Sequence, residues 1–205
     1  MSMASAIATT LGAHPWVAHA AVGDAGVCLM LSAEGIAALR GQGRQACLGA
    51  LRDHLAAHAL GIPTHWRLCD QWNAVQSAAQ IDALLAQPRA EHPLLLADHT
   101  QGHESALELL IPLDLRHFAD HFPHLPVLPG VVQLAWALEF AAARLDTPKA
   151  CRRMEMLKFQ RLLRPGDRVQ LRLRHDATAH RLHFAYQLGD IEASSGRFAW
   201  EAAHG

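Results

Sequence analysis

Long apolar runs are absent from this 205-residue chain, and no stretch approaches the roughly 20 residues that a membrane-spanning helix requires. The first eleven residues contain no basic side chain ahead of an apolar core, so we expect no secretory signal peptide. An excess of charge of one sign is also absent, because the chain has 18 Lys and Arg residues and 19 Asp and Glu residues. This balance argues against a nucleic acid as the main partner, and the lack of a long apolar run argues against a membrane.

Paired cysteines are absent as well. None of the four cysteines forms a C-x-x-C pair: Cys28, Cys47, Cys69 and Cys151. This pattern is typical of small apolar residues in a reducing cytoplasm rather than of disulfides or zinc ligands. Fifteen histidines are present, and two groups lie close in sequence: His54 with His58, and His117 with His121 and His124. Neither group has an accompanying cysteine or a His-Glu-x-x-His pattern, so we predict no bound metal.

Residues 1–88 are predicted to form a small α/β lobe. The predicted elements are two short strands around a glycine turn within residues 17–31, a helix over 44–60, a strand over 66–69 and a helix from Ser77 to about residue 87. In the first helix Leu48, Leu51 and Leu55 share one face, and Arg44 lies off it. Such a lobe is too small to be a complete catalytic domain.

Residues 89–205 follow a short proline-containing linker and read mainly as strands. The predicted elements are strands near residues 107–111, 154–159, 169–173, 182–186 and 191–200, and a nearly uncharged helix over about 131–145. The strands alternate apolar and polar residues, whereas the helix is apolar on nearly every side. Between two strands, Pro165 and Gly166 suit the central positions of a type II turn. The pattern predicts an antiparallel sheet curled around one buried helix.

The segment HFPHLPVLPGV, residues 121–131, precedes that helix. Its three prolines restrict the backbone, and Gly130 opens the helix. A helix start offers free N–H groups to a negative oxygen, and His121 is a candidate base. A base and an oxyanion site this close in sequence fit proton abstraction next to a carbonyl.

This segment is similar to the signature of hotdog-fold 3-hydroxyacyl-thioester dehydratases of the FabA/FabZ type. The sequences LKF at 157–159 and RPGD at 164–167 resemble that family's strand pair, and VQLAW at 132–136 is closest to the ApeI-like branch of aryl polyene synthesis. The resemblance covers about residues 90–203. It implies a hotdog fold, in which the sheet wraps the central helix, and a dimer.

The resemblance also implies a reaction, namely loss of water from a 3-hydroxyacyl chain on acyl carrier protein to give a trans-2-enoyl thioester, without a cofactor. By the same resemblance, His121 is the base at C2 and the Gly130 N–H holds the thioester oxygen. Phe122, Pro129 and Val131 are the implied substrate contacts.

The sequence departs from this family at Ala135, where the helix usually has Asp or Glu. Glu139 lies one turn further along the same face. Three alternatives stay open: Glu139 partly replaces the missing acid, His121 works with a water, or Glu139 serves a polar neighbour without a catalytic role.

The first lobe resembles a different family, the C-terminal lobe of adenylate-forming acyl-CoA synthetases. The similar segments are HPWVAHAAV at 14–22 and HWRL at 65–68. That family's functional lysine is absent near Ser77, because the only lysines are Lys149 and Lys158. We therefore expect a vestigial or docking role rather than adenylation.

Seven arginines and one lysine lie between residues 152 and 174, against Glu155 and Asp167. One interpretation is a solvated strand face. The other is a docking surface for acidic acyl carrier protein, with Lys158, Arg161 and Arg164 as the contacts.

A carrier-linked dehydratase is thus the leading hypothesis. A hotdog acyl-thioesterase, which would activate a water near His121, is the second. The third is a non-catalytic subunit that binds acyl chains or carrier protein, which Ala135 favours.

Overall fold

The computed structural model describes residues 2–72, 77–118 and 124–200. The chain divides into two compact units, one formed by Met1–Glu91 with Pro112–Val127 and the other by His92–Ile111 with Leu128–Gly205. The segment Pro112–Val127 therefore groups with the first unit, although its neighbours in sequence group with the second. The predicted division into residues 1–88 and 89–205 stays a prediction.

The first unit contains a three-stranded sheet with helices. Its elements are α1 (Met3–Gly12), β1 (Val17–Val22), β2 (Gly26–Leu31), α2 (Ala33–Ala57), β3 (His65–Leu68), α3 (Ala78–Ala86) and a short 3-10 helix (Arg116–Phe118). In this sheet β2 is central, antiparallel to β1 and parallel to β3. The predicted strands are confirmed, and so is the Ser77 cap, whose hydroxyl accepts from the Gln80 N–H at 3.3 Å.

Two helical segments of this unit were not predicted, namely α1 and the first half of α2. The Ser32 hydroxyl caps α2 by accepting from the Gly35 N–H at 3.1 Å, so the helix begins before the predicted residue 44. A kink at Gly43, where φ is +83°, explains the miss, because it interrupts the helical period that the leucines follow. The prediction for Arg44 was also incomplete, since the residue is half-buried.

The second unit is a six-stranded antiparallel sheet with one helix. Its elements are β4 (Leu94–Gln101), β5 (Glu104–Leu110), α4 (Gly130–Arg144), β6 (Arg153–Phe159), β7 (Arg168–Asp176), β8 (Arg181–Leu188) and β9 (Ile191–Ala199). The strand order is β4-β5-β7-β8-β9-β6, so β4 and β6 are the edges. Alternation along β5, β7 and β8 buries one face, as predicted: Leu107, Leu109, Leu171, Leu173, Leu182, Phe184 and Tyr186.

The predicted Pro-Gly turn before β7 is present. Gly166 has a φ of +77°, which suits the third position of a type II turn. Its N–H donates to the Ile111 carbonyl at 2.8 Å, and the buried Asp167 side chain accepts from the Arg164 N–H at 2.7 Å. This turn thereby fixes the end of β5 against the start of β7. Within the described ranges, no helix is both long enough and apolar enough to cross a bilayer.

Candidate functional site

The predicted base His121 and the predicted substrate contact Phe122 lie outside the described residues. The candidate site is therefore described from its other predicted members, all at or near the start of α4.

The first turn of α4 offers two backbone donors. Pro129 is the N-cap, and its carbonyl accepts from the N–H groups of Val132 and Gln133 at 3.1 and 3.2 Å. Among the described residues, the N–H groups of Gly130 and Val131 have no acceptor. Both donors lie at the N-terminus of α4, which is the positive end of the helix dipole. Free N–H groups at such a position can stabilise an oxyanion.

Phe159 of β6 explains why the helix opens with glycine. A Cβ added to Gly130 would lie 2.9 Å from two carbons of the Phe159 ring, closer than real side-chain contacts allow. The ring is half exposed and packs on the first residue of the helix. The aromatic ring and the free N–H groups therefore lie at the same place on the surface.

Gln133 is a buried residue of the site that the sequence reasoning missed. Its Nε2 donates to the Leu128 carbonyl at 3.1 Å, and its Oε1 accepts from the Ser194 hydroxyl at 2.6 Å. The Tyr186 hydroxyl donates to the Gln133 carbonyl at 2.9 Å, and burial raises the pKa of Tyr186 well above its usual range. Tyr186 therefore packs in the core of the second unit. An amide in an otherwise apolar helix was the available signal for Gln133.

One stripe of α4 is exposed, which corrects the prediction of a helix wrapped on every side. Val131, Ala135 and Glu139 follow at i, i+4 and i+8, and Val131 is 73% exposed. Ala135 and Glu139 thus share a face, as expected. The Glu139 carboxylate lies 3.4 Å from Nδ1 of His92, so Glu139 has a polar neighbour. Neither observation decides between the alternatives for Glu139.

Apolar side chains are exposed on and just after the edge strand β6. They are Met154, Met156, Leu157, Phe159 and Leu162. An exposed apolar edge of this kind marks an interaction surface, because it leaves unpaired backbone groups beside apolar area.

The predicted carrier contacts lie near the same edge. Lys158 is exposed within β6, and Arg161 is exposed just beyond it. Arg164 is half-buried at the Pro-Gly turn. Their role in docking stays a prediction.

A groove of about 670 Å³ lies elsewhere, over the sheet face whose side chains alternate with the buried ones. Its lining includes Arg172, Arg174 and His183, and Ala106 and Ala185 form its floor. None of the predicted site residues that the structure describes lines this groove, so we do not place the reaction there.

The histidines do not form a metal site in the described part of the chain, where no three His, Cys, Asp or Glu side chains are arranged to bind an ion. The imidazole of His54 contacts the His14 ring edge to face and the His58 ring at a tilt, with ring centroids 4.9 and 4.7 Å apart respectively. Burial and the neighbouring His54 lower the pKa of His14.

Comparison with known proteins relates this chain to dehydratases. Residues 97–197 match the ApeI-like family, described as ApeI dehydratase. The 3-hydroxyacyl-(acyl-carrier-protein) dehydratase FabZ of Brucella ovis is 33% identical over 109 residues, which cover 47% of this chain and 69% of the relative. FabZ of Chloroflexus aggregans is 30% identical over 102 residues, covering 44% and 71%.

A solved structure agrees with these sequence matches. In the dehydratase heterocomplex ApeI:P from Xenorhabdus doucetiae, one chain is 34% identical, with a TM-score of 0.50. The alignment covers 53% of this chain and 96% of that chain. It confirms the predicted α+β hotdog architecture. By sequence and by fold, the chain belongs to the hotdog dehydratase family that includes FabZ and ApeI.

Proposed function

We propose that this chain removes water from 3-hydroxyacyl thioesters on acyl carrier protein, giving trans-2-enoyl thioesters in fatty-acyl or aryl polyene biosynthesis in the cytoplasm. The observation that supports this most directly is the start of α4, where Gly130 and Val131 present free N–H groups. Over 109 residues the chain is also 33% identical to the FabZ dehydratase of Brucella ovis.

In the proposed reaction, His121 takes a proton from C2 of the acyl chain. Negative charge then develops on the thioester oxygen, and the N–H of Gly130 donates to it. Loss of one such donor commonly lowers a rate by about a hundredfold. The C3–O bond breaks as the C2–C3 double bond forms, and the leaving hydroxide takes up a proton to become water. The substrate lies against Phe122, Pro129 and Val131.

The proton for the leaving hydroxyl needs a donor, and the methyl group of Ala135 cannot provide it. We propose that Glu139 partly replaces the missing acid, since it lies on the same exposed stripe of α4. The His92 imidazole lies 3.4 Å from the Glu139 carboxylate, and this contact limits the orientations that the Glu139 side chain adopts. Glu139→Gln is expected to lower the turnover number, and unchanged turnover would contradict the replacement.

We also propose a homodimer formed through the second unit. The exposed apolar residues of β6 and the exposed stripe of α4 are the surface that such a partner would cover. The matching chain of the ApeI:P structure was solved in a complex of dehydratase chains, which supports association of this unit with a second chain. Lys158, Arg161 and Arg164 form the proposed docking surface for the acidic carrier protein.

Residues 1–88 are proposed to be a degenerate synthetase-like C-terminal lobe with a docking role. Its sequence segments support the likeness, and the missing lysine near Ser77 argues against adenylation.

A non-catalytic subunit that binds acyl chains or carrier protein is the second candidate, because Ala135 removes the usual acid. Incubation with a 3-hydroxyacyl carrier protein separates the candidates. A dehydratase forms the enoyl thioester, whereas a binding subunit retains the acyl carrier unchanged. Release of free thiol would instead indicate the thioesterase.

A further inference from the structure

The segment that precedes the predicted base His121 in sequence belongs to the first unit. After β5 the segment Pro112–Val127 groups with that unit, and the chain returns to the hotdog unit at Leu128. The Leu113 side chain is buried in the core of the first unit, in the same apolar cluster as Leu51 and Leu68. The Leu113 N–H donates to the Asp70 carboxylate at 2.9 Å.

Asp114 forms several polar contacts within the first unit. Its side chain is only 5% exposed. Oδ1 accepts from Nε of Arg44 at 2.5 Å, and Oδ2 accepts from the Leu68 N–H at 3.1 Å and from Nη2 of Arg44 at 3.3 Å. The same Nη2 of Arg44 donates to the Trp66 carbonyl at 2.8 Å. One carboxylate is therefore fixed by α2 and β3 together.

The next residues are also bound within the first unit. The Arg116 N–H donates to the Ala90 carbonyl at 2.8 Å, and its guanidinium pairs with Glu91 at 2.5 Å. Phe118, the last described residue before the predicted base, is buried. The first unit thus fixes residues 113–118 to within three positions of His121 in sequence.

An ion pair between the buried Asp114 carboxylate and the half-buried Arg44 guanidinium adds little stability by itself, because the cost of desolvating the carboxylate offsets much of the attraction. Its advantage is geometric, since a bidentate guanidinium accepts only one orientation of the carboxylate. An apolar residue at 114 would suffice if this segment had only to be covered.

We propose that Asp114 is a positioning residue for the dehydration. Through Asp114, the first unit holds residues 113–118, which precede His121 in sequence. This inference rests on the proposed function of His121. By this proposal, the synthetase-like lobe holds residues 113–118 in place, which is a role that does not require the lysine absent near Ser77.

The test uses the full chain with Asp114→Asn and Arg44→Gln, which keep shape and remove charge. Asp98→Asn is the matched control, because Asp98 pairs with Arg144 at 2.6 Å inside the hotdog unit. We expect both anchor variants to lower kcat by about tenfold or more while KM changes little, since misplacement of a reacting group affects the chemical step. Hydrogen exchange of residues 113–118 should accelerate by at least about tenfold, with protection elsewhere retained.

Equal effects of Asp114→Asn and Asp98→Asn on kcat would overturn the positioning role, and so would unchanged exchange in residues 113–118. Loss of protection across the whole first unit would also count against it, because the pair would then serve stability. These outcomes require an active wild type. An inactive wild type would contradict the proposed function itself, and the positioning role with it.

Discussion

At the scale of single residues, the proposed chemistry at the start of α4 depends on the side chains at positions 130, 133 and 135. Glycine at 130 leaves room for the Phe159 ring beside free N–H groups, and Gln133 fixes the preceding chain to the sheet. Alanine at 135 leaves the exposed stripe without its usual carboxylate. The N–H groups of Gly130 and Val131, which are the proposed oxyanion donors, are therefore free within the described part of the chain, whereas position 135 provides no proton donor for the proposed reaction.

Ala135→Glu tests whether that donor limits the reaction. A carboxyl group at position 135 is expected to raise the rate of dehydration by about tenfold or more, because positioned acids contribute on this scale. Ala143→Glu is the control, since Ala143 is also exposed on α4, two turns away. Steady-state kinetics with the same carrier-bound substrate provides the comparison. Equal rates for the two variants would show that the missing carboxyl is not limiting.

Asp70 predicts a pH dependence of stability. Burial raises the pKa of Asp70 to about 6, from 3.8, although the Leu113 N–H partly opposes the shift. As pH falls through 6, the folded chain takes up a proton that the unfolded chain binds only near 3.8. The contribution of this carboxyl to stability therefore rises as pH falls between these values.

Asp70→Asn removes this proton uptake. Between about pH 7 and pH 5, the free energy of unfolding of the wild type should gain about 1 kcal/mol relative to the variant. Urea unfolding at both values measures the difference, with the exposed Asp53→Asn as control. A difference that does not change with pH would contradict the raised pKa.

At the scale of elements, the sequence patterns predicted the strands, the helix cap and the turn that depend on residues close together in the chain. The alternation in β7 and β8, the cap at Ser77 and the Pro-Gly turn are each determined by residues close in sequence, and each is confirmed. The kink at Gly43 was invisible to a search for one helical period.

Other features depend on residues far apart in the chain. Asp114 meets Arg44 across 70 positions, and Gln133 meets Ser194 across 61. Each of these side chains alone reads as an ordinary polar residue. Only the fold shows that these residues are paired and that Asp114, Gln133 and Ser194 are buried, so the contacts that hold residues 113–118 were not predictable from the sequence.

The edge strand β6 predicts self-association. Met154 is exposed within an apolar edge, and a charge there should oppose its burial against a second chain. Met154→Glu is expected to weaken the dimer by at least about tenfold, as measured by sedimentation at several protein concentrations. Ile62→Glu is the control, because Ile62 is an exposed apolar residue of the first unit and is not part of this sheet. A monomeric wild type would contradict the dimer.

At the scale of the whole molecule, the proposed partner is acidic while the chain is nearly neutral, so docking must use local charge. Lys158→Ala and Arg161→Ala are each expected to weaken carrier binding several-fold at low salt. Wild-type affinity should fall steeply as salt is added, because exposed charges are screened. Calorimetry at two salt concentrations measures both effects. Binding that is independent of salt would favour the solvated-face interpretation.

The central claim is that this chain is a dehydratase with His121 as its base, and intact mass spectrometry of a 3-hydroxyacyl carrier protein tests it most directly. We predict that wild type reduces the mass of the acyl carrier by one water and that His121→Ala, folded to the same extent, does not. An unchanged mass with wild type, or an equal loss of water with His121→Ala, would contradict the account.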